Sequence, residues 1–170
     1  MIEQHNILEL LSKGGESTYH SAILTCYTFD PIFFSTYYLP ILRNRGVSNI
    51  LVYMDAIQYD IMMQQVLSFQ GYLIGFSLVR MNTRNGSGVF HSKVSILIGE
   101  NQGLIFVGSG NLTFSGMSLN DEVWGKFELT EKDIRFAPLF AQVWSYLCSF
   151  ELIKLTHEQV GWMVENAKWL

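Results

Sequence analysis

The sequence predicts an α/β fold in which a mixed, largely parallel β-sheet is flanked by helices on both faces. In the first half of the chain, apolar β-branched runs alternate with helical patterns, an order typical of parallel strands joined by crossover helices. Two apolar runs separated by a short polar turn follow, and two amphipathic helical patterns come last. With 170 residues, of which 49% are hydrophobic, the chain is predicted to be one domain over 1–170.

The first half is predicted to supply three strands and the helices between them. A loose apolar stripe over 2–12 predicts an opening helix. Asp30 and Pro31 suit the N-cap and first position of a helix that runs to Arg45, and Pro40 should kink or divide that helix. Asp55 opens a capping box for the next helix. The other predicted elements of this half are strands at 18–28, 49–53 and 71–80 and a helix at 57–69.

The second half is predicted to add antiparallel strands and two closing helices. The residues Asn101-Gln102-Gly103 suit a tight hairpin turn between two apolar runs. Pro138 suits a helix start, and a capping pattern from Thr156 opens the last helix. The predicted strands are 94–98, 104–107 and 123–127. The residues expected on the buried faces of the two helices are Phe140, Val143, Trp144 and Leu147, then Val160, Met163, Val164 and Ala167.

Polar residues at the ends of the hairpin form the most informative pattern. His91 and Lys93 are two residues apart, so on an extended strand both side chains project from the same face. The partner strand ends at Gly108-Ser109-Gly110-Asn111, and a hairpin brings its two outer ends together. Ser109 and Asn111 are therefore expected beside His91 and Lys93, and Glu122 follows at the start of the next strand.

These five residues resemble the signature of the phospholipase D superfamily, which is His-x-Lys followed by Gly-Ser-x-Asn or Gly-Ser-x-x-Asn and a later acidic residue. The resemblance implies a phospholipase D-like fold and metal-independent phosphodiester chemistry. The superfamily pattern usually has an Asp five residues after the Lys, where this chain has Ile98. Ile98 has the opposite strand parity to His91 and Lys93 and should point away from them, so we interpret the difference as a change in scaffolding.

Each residue type suits a step of phosphodiester cleavage. A neutral imidazole can attack phosphorus and form a covalent phosphohistidine, which makes His91 the predicted nucleophile. Lys93, Ser109 and Asn111 are predicted to bind the phosphate and to stabilise its developing charge. A carboxylate that accepts a hydrogen bond from the imidazole would fix its orientation, a role assigned to Glu122. The adjacent Asp121 could also face the site, and only the superfamily spacing favours Glu122.

The chain contains one copy of this motif. In the superfamily two copies build one site, and short members with a single copy are implied to pair. We therefore predict a homodimer in which one His91 is the nucleophile and the other protonates the leaving oxygen. No cofactor or metal is predicted, because the other histidines, His5, His20 and His157, fall in separate elements without zinc-ligand spacing.

Bulk properties limit the partners. A formal charge of -4 and a pI near 5.5 argue against a broadly basic surface for nucleic acid. A local basic groove stays open, with Arg80, Arg84, Lys93 and Lys126 as contributors. No apolar run is long enough for a membrane span and no leader pattern begins the chain, so a cytoplasmic protein without stable membrane association is expected.

The leading functional hypothesis is an endonuclease that cleaves DNA or RNA. One alternative is a phospholipid hydrolase or phosphatidyl transferase. Another is a catalytically silent module for phosphodiester binding or dimerisation, which Ile98 and the acidic pI favour. The polar loop 82–88 directly precedes His91, and its interpretations as a substrate-contacting segment and as a plain connection have equal weight.

Overall fold

The computed structural model describes residues 18–83, 87–150 and 154–170, together with Leu8 and Leu11. Both leucines are helical, and Leu11 is fully buried. The rest of the helix predicted at 2–12 and the centre of the loop 82–88 lie outside the described residues. The assignment of 1–170 to one domain stays a prediction.

Within the described residues, six strands form one sheet. They are β1 Ser21–Cys26, β2 Asn49–Asp55, β3 Ser77–Met81, β4 Val94–Ile98, β5 Gln102–Gly108 and β6 Trp124–Thr130. Their order in the sheet is β3-β2-β1-β4-β5-β6. The strands β1, β2 and β3 pair in parallel, whereas β4, β5 and β6 join them through antiparallel pairings. Four strands, β1, β2, β3 and β5, therefore run in one direction, and the predicted mixed sheet is confirmed.

Helices cover both faces of this sheet, as predicted. The helix α1 has three parts, Pro31–Phe33, a π-helical turn Phe34–Tyr38 and Leu39–Asn44. The others are α2 Ala56–Met63, α3 Val66–Phe69, α4 Ala137–Cys148 and α5 Lys154–Glu165. Alternate strand residues point to opposite faces of the sheet. Leu24 therefore packs in one hydrophobic layer with α1 and α2, and Ile23 packs in the other with α4 and α5.

The start signals of α1 and α2 are confirmed. The Asp30 carboxylate accepts a hydrogen bond from the Phe33 N–H at 3.0 Å, which satisfies one of the free amides at the start of α1. Pro40 lies directly after the π-helical turn, where the hydrogen bonding widens so that Leu39 N–H reaches Phe34 O. A widened turn accommodates the donor that a proline lacks, so α1 changes its winding at the predicted place and continues.

Three elements of the first half were predicted too long. The strand predicted at 18–28 spans only Ser21–Cys26. The helix predicted at 57–69 is divided, because the N–H of Gln65 bonds Met62 O, three residues back, at 3.0 Å, and this tighter turn ends α2. The strand predicted at 71–80 starts only at Ser77. Gly75 precedes it with a φ of 90°, a left-handed conformation that interrupts an extended strand.

The hairpin turn lies two residues earlier than predicted. The N–H of Gly99 bonds Gln102 O at 2.9 Å, so the turn is 99–102 and Gln102 and Gly103 begin β5. Gly103 is needed in the strand because a side chain there would meet the rings of Phe140 and Trp169. In α5, Met163 is buried as predicted, but Val164 is 43% exposed, which makes that assignment wrong.

Candidate active site

All five predicted site residues lie at one edge of the sheet. The strands β1, β2 and β5 end at this edge, and β4 and β6 begin there, as the pairs Val94–Val107 and Gly108–Trp124 show. His91 and Lys93 precede β4, Ser109 and Asn111 follow β5, and Glu122 precedes β6. The hairpin therefore brings its ends together as the sequence predicts.

His91 and Lys93 are in direct contact. The Lys93 ammonium nitrogen Nζ lies 3.0 Å from His91 Nδ1, and it also donates to the His91 carbonyl oxygen at 3.1 Å. The two side chains thus share a face, although β4 itself begins one residue later, at Val94. His91 is exposed, whereas Lys93 is only 8% exposed. An accessible imidazole thus stands beside a cation that water reaches poorly.

Burial lowers the pKa of Lys93, because desolvation disfavours the charged form. The nearby Cys26 and Glu122 act in the opposite direction. Cys26 is itself fully buried, and that burial raises the pKa of its thiol. The Lys93 ammonium is therefore held in a poorly solvated position where its field on a neighbouring anion is stronger than in water.

Ser109 and Glu122 form a second pair. The Ser109 hydroxyl donates to Glu122 Oε2 and accepts the Val123 N–H at 3.1 Å, while Asn120 Nδ2 donates to Glu122 Oε1 at 3.1 Å. These described contacts of the Glu122 carboxylate do not include His91. The predicted hydrogen bond, in which the carboxylate would accept from the imidazole, is therefore not among the described contacts, and Glu122 is instead held against Ser109.

Asn111 joins the end of β5 to the end of β1. Its side-chain oxygen Oδ1 accepts the backbone N–H groups of Tyr27 and Thr28, at 3.0 and 3.2 Å. Since the oxygen is engaged, the group that Asn111 can offer to an anion is its Nδ2 amide, a donor. Asn111 therefore combines a structural contact with the donor character predicted for it.

Glycine is required on both sides of Ser109. A Cβ atom at Gly108 would overlap the Trp124 ring, and one at Gly110 would overlap Gly116 O and lie 2.8 Å from Trp124. The absence of side chains lets the loop lie flat against that ring. Trp124 is thus a packing residue under the loop.

Thr25 fixes the place where β1 and β4 separate. Its hydroxyl accepts the Val94 N–H at 2.7 Å and donates to Val94 O at 3.1 Å. These side-chain bonds follow directly after the last backbone pair of the two strands, Leu24 with Ser95. The start of β4, directly after Lys93, is thereby anchored although the ladder has ended.

Tyr27 and Asp55 also belong to this site, although neither was predicted there from the sequence. The Tyr27 ring lies against His91, with ring centroids 4.9 Å apart, and Asp55 accepts the Phe90 N–H at 2.8 Å. Both residues stand at the carboxyl ends of parallel strands, where ligand sites of α/β sheets form. That position was the signal that could have identified them.

Ile98 lies where its strand parity predicted. It is fully buried in the layer packed by α4 and α5, whereas Leu97, which shares the parity of Lys93, is in the opposite layer. An acidic side chain at position 98 would therefore point into an apolar layer, away from His91.

The other residues suggested for a basic groove were Arg80, Arg84 and Lys126. Arg80 pairs with Asp60 at 2.7 Å and Lys126 with Glu128 at 2.5 Å, while Arg84 lies outside the described residues. In the described ranges, no three His, Cys, Asp or Glu side chains are grouped so that they could hold a metal ion. The same ranges contain no helix with the length and apolar character needed to cross a membrane.

Solved structures share this architecture. NucT from Helicobacter pylori matches 79% of the chain and 84% of its own length, with a TM-score of 0.50 and 20% identity. Nuc from Salmonella typhimurium, a phospholipase D family member, matches 82% of both chains, with a TM-score of 0.52 and 19% identity. Yeast tyrosyl-DNA phosphodiesterase matches 94% of this chain but 37% of its own length, with a TM-score of 0.53 and 19% identity.

No protein-family model and no curated protein sequence matches the chain. The structural comparisons show the fold: a mixed α/β sheet that this chain shares with these proteins. More particularly, it is the fold of Nuc, a phospholipase D family member, in agreement with the fold that the motif resemblance implied.

Proposed function

We propose that the protein is a metal-independent phosphodiesterase, and specifically an endonuclease that cleaves DNA or RNA through a covalent phosphohistidine. The observation that supports this most directly is the 3.0 Å contact between Lys93 Nζ and His91 Nδ1, at a sheet edge that also holds Ser109, Asn111 and Glu122. An exposed imidazole beside a poorly solvated cation suits nucleophilic attack on an anionic phosphodiester.

The chemistry follows from these residues. A nitrogen of the neutral His91 imidazole attacks phosphorus, and the bond from phosphorus to the leaving oxygen breaks. Lys93 and the Asn111 amide donate to the non-bridging oxygens, since a charged phosphate oxygen accepts more strongly than a neutral ring nitrogen. A second imidazole protonates the leaving oxygen and then takes a proton from the water that releases the phosphohistidine.

The second imidazole is His91 of another copy of the chain. The surface beside the site supports this pairing, because Leu119 and Val123 are 68% and 78% exposed on either side of Glu122. Exposed aliphatic side chains next to a polar site suit contact with a second protein surface. In such a dimer both copies of His91 serve one shared site, and the Glu122 carboxylate accepts a hydrogen bond from an imidazole of the other subunit.

Nucleic acid is the proposed substrate because the name of one neighbour, tyrosyl-DNA phosphodiesterase, points to a DNA-linked phosphodiester. A second neighbour, Nuc, is a phospholipase D family member. A phospholipid hydrolase remains the alternative that the second name supports. The third candidate is a protein that binds a phosphodiester and does not cleave it.

The test is cleavage of single- and double-stranded DNA and RNA in excess EDTA by the parent and by His91→Ala. Cleavage is expected to survive chelation and to be lost in His91→Ala, while His157→Ala, at an exposed position on α5, should cleave like the parent. Loss of parent cleavage in EDTA would overturn the metal-independent mechanism. Release of headgroup from phospholipid vesicles without nucleic-acid cleavage would establish the lipid alternative.

A further inference from the structure

The buried carboxylate of Asp55 stands at the edge of the sheet that holds His91, yet it takes no part in the chemistry proposed above. It is 2% exposed, and it is the one buried acidic residue in the part of the chain that the structure describes. Burying a carboxylate costs several kcal/mol unless hydrogen bonds compensate for the lost water. Its hydrogen-bond partners therefore indicate its role.

Three backbone amides satisfy this carboxylate. Oδ1 accepts the N–H groups of Ile57 and Gln58, at 3.0 and 3.2 Å, and so caps α2. Oδ2 accepts the N–H of Phe90, at 2.8 Å, from a segment 35 residues further along the chain. A helix cap needs only one oxygen, so the second is committed to the residue that directly precedes His91.

Tyr27 completes this arrangement on the other side of His91. Its ring centroid lies 4.9 Å from that of the imidazole, with the planes inclined at 45°. Its hydroxyl accepts from Gln58 Nε2 at 3.2 Å, and its backbone N–H donates to Asn111 Oδ1 at 3.0 Å. Gln58, whose backbone N–H is accepted by Asp55, therefore also holds the Tyr27 ring that packs on His91.

We propose that Asp55 is a positioning residue for His91, acting through the Phe90 peptide, and that Tyr27 limits the rotation of the imidazole. This inference rests on the proposed function, in which His91 attacks phosphorus. Attack requires the nitrogen in line with the leaving oxygen, and a misplacement of about 1 Å can reduce the rate by about 100-fold. His91 is exposed, so few other contacts restrict it.

Two substitutions separate the helix cap from the contact to Phe90. Asp55→Asn is nearly isosteric but replaces one acceptor oxygen with a donor, whereas Asp55→Ser can still cap α2 through its hydroxyl and lacks the second oxygen. Both should lower kcat about 10- to 100-fold with KM nearly unchanged, because in-line geometry matters in the transition state more than in substrate binding. Asp30→Asn is the matched control, since Asp30 caps α1 and should leave kcat unchanged.

A second readout does not depend on turnover. The His91 imidazole lies against the Tyr27 ring, so the NMR signal of its Hε1 proton should be displaced by that ring and can be assigned by its loss in His91→Ala. The signal should move toward the position of a free imidazole in both Asp55 variants and in Tyr27→Leu. Asp30→Asn should not move it.

The outcomes separate this inference from the proposed function. Folded Asp55 variants with the parent kcat and an unmoved His91 signal would overturn it. If the parent does not cleave, the proposed function fails and the NMR signal alone decides the positioning role. If the Asp55 variants do not fold, Tyr27→Leu decides, because Tyr27 is half-buried, and parent-like kcat with an unmoved signal would then count against the arrangement.

Discussion

At the scale of single residues, the site combines groups with opposite solvation. Lys93 is buried and His91, two residues earlier, is exposed, although the two side chains are in contact. The buried member supplies a field that water screens weakly, and the exposed member is open to substrate. When Lys93 loses its charge, the cleavage rate should therefore fall, whereas the thermal stability should not.

Lys93→Met should lower the cleavage rate by about 100-fold or more, because it removes a fixed charge that stabilises the transition state. Thermal unfolding should not shift to lower temperature, since an apolar side chain of similar size replaces a desolvated charge. The comparison is with Lys126→Met, whose exposed ion pair with Glu128 is worth at most about 1 kcal/mol. Unchanged cleavage in Lys93→Met would contradict the role assigned to Lys93.

His20, at the other end of β1, gives a prediction about pH. Burial lowers its pKa below the ordinary value of 6.5, although its hydrogen bond to Asn166 O and the nearby Glu100 act against that shift. The unfolded chain therefore binds the proton first as the pH falls below 6.5. The contribution of His20 to stability is complete above this pH and declines below it until the folded histidine titrates too.

The expected result is a larger fall in the thermal midpoint of the parent than of His20→Gln when the pH is lowered from neutral to mildly acidic. His157→Gln is the control, because His157 is exposed on α5, and it should follow the parent. Parallel curves for the parent and His20→Gln would show that His20 is not responsible.

At the scale of elements, close packing of the 108–110 loop on β6 fixes the site. Gly110→Ala should lower the free energy of unfolding by about 1–3 kcal/mol, because the added methyl group overlaps Gly116 O and crowds Trp124. Cleavage should fall as well, since Ser109 and Asn111 flank that glycine.

Gly161→Ala is the matched substitution in a helix. No atom lies within 4 Å of the Cβ position at Gly161, in α5. The change should raise the free energy of unfolding by about 0.5–1 kcal/mol, because alanine loses less backbone entropy in a helix. Equal destabilisation of both variants in urea titrations would show that crowding at Gly110 is not the cause.

The sequence predicts the central strands well because both of their faces are buried, which requires continuous apolar runs such as 50–54 and 96–98. It predicts the ends of helices and strands less well. The helix predicted at 57–69 fails at Gln65, where the apolar pattern continues but a backbone turn intervenes. Patterning reports which side chains are buried, and it does not report where hydrogen bonding changes.

The candidate site shows the same division. His91, Lys93, Ser109 and Asn111 could be placed together because one hairpin joins them. The contact of Asp55 with Phe90 depends on the register of β2 relative to a segment 35 residues away, which no local pattern encodes. No local pattern shows which side chain Glu122 contacts either. We predicted a contact with His91, whereas the observed hydrogen bond is with Ser109.

At the scale of the whole molecule, a shared site makes activity depend on both subunits. If one site needs two copies of His91, mixed dimers of parent and His91→Ala are inactive. After denaturation and refolding of an equal mixture, about a quarter of the dimers carry both imidazoles, so cleavage should fall to about half of that given by the parent chains alone. Additive activity, or a monomer by light scattering, would contradict the shared site.

The side-chain bonds of Thr25 at the junction of β1 and β4 also bear on the order of events during folding. This junction joins residues as far apart as Ser21 and Ile98, and pairing across such a separation closes a long loop and is slow. The parallel half and the hairpin can each form from nearer contacts, but the edge that holds the candidate site exists only after they meet. On refolding from urea, helical circular dichroism should therefore recover before cleavage does, and simultaneous recovery would show that the halves assemble as one unit.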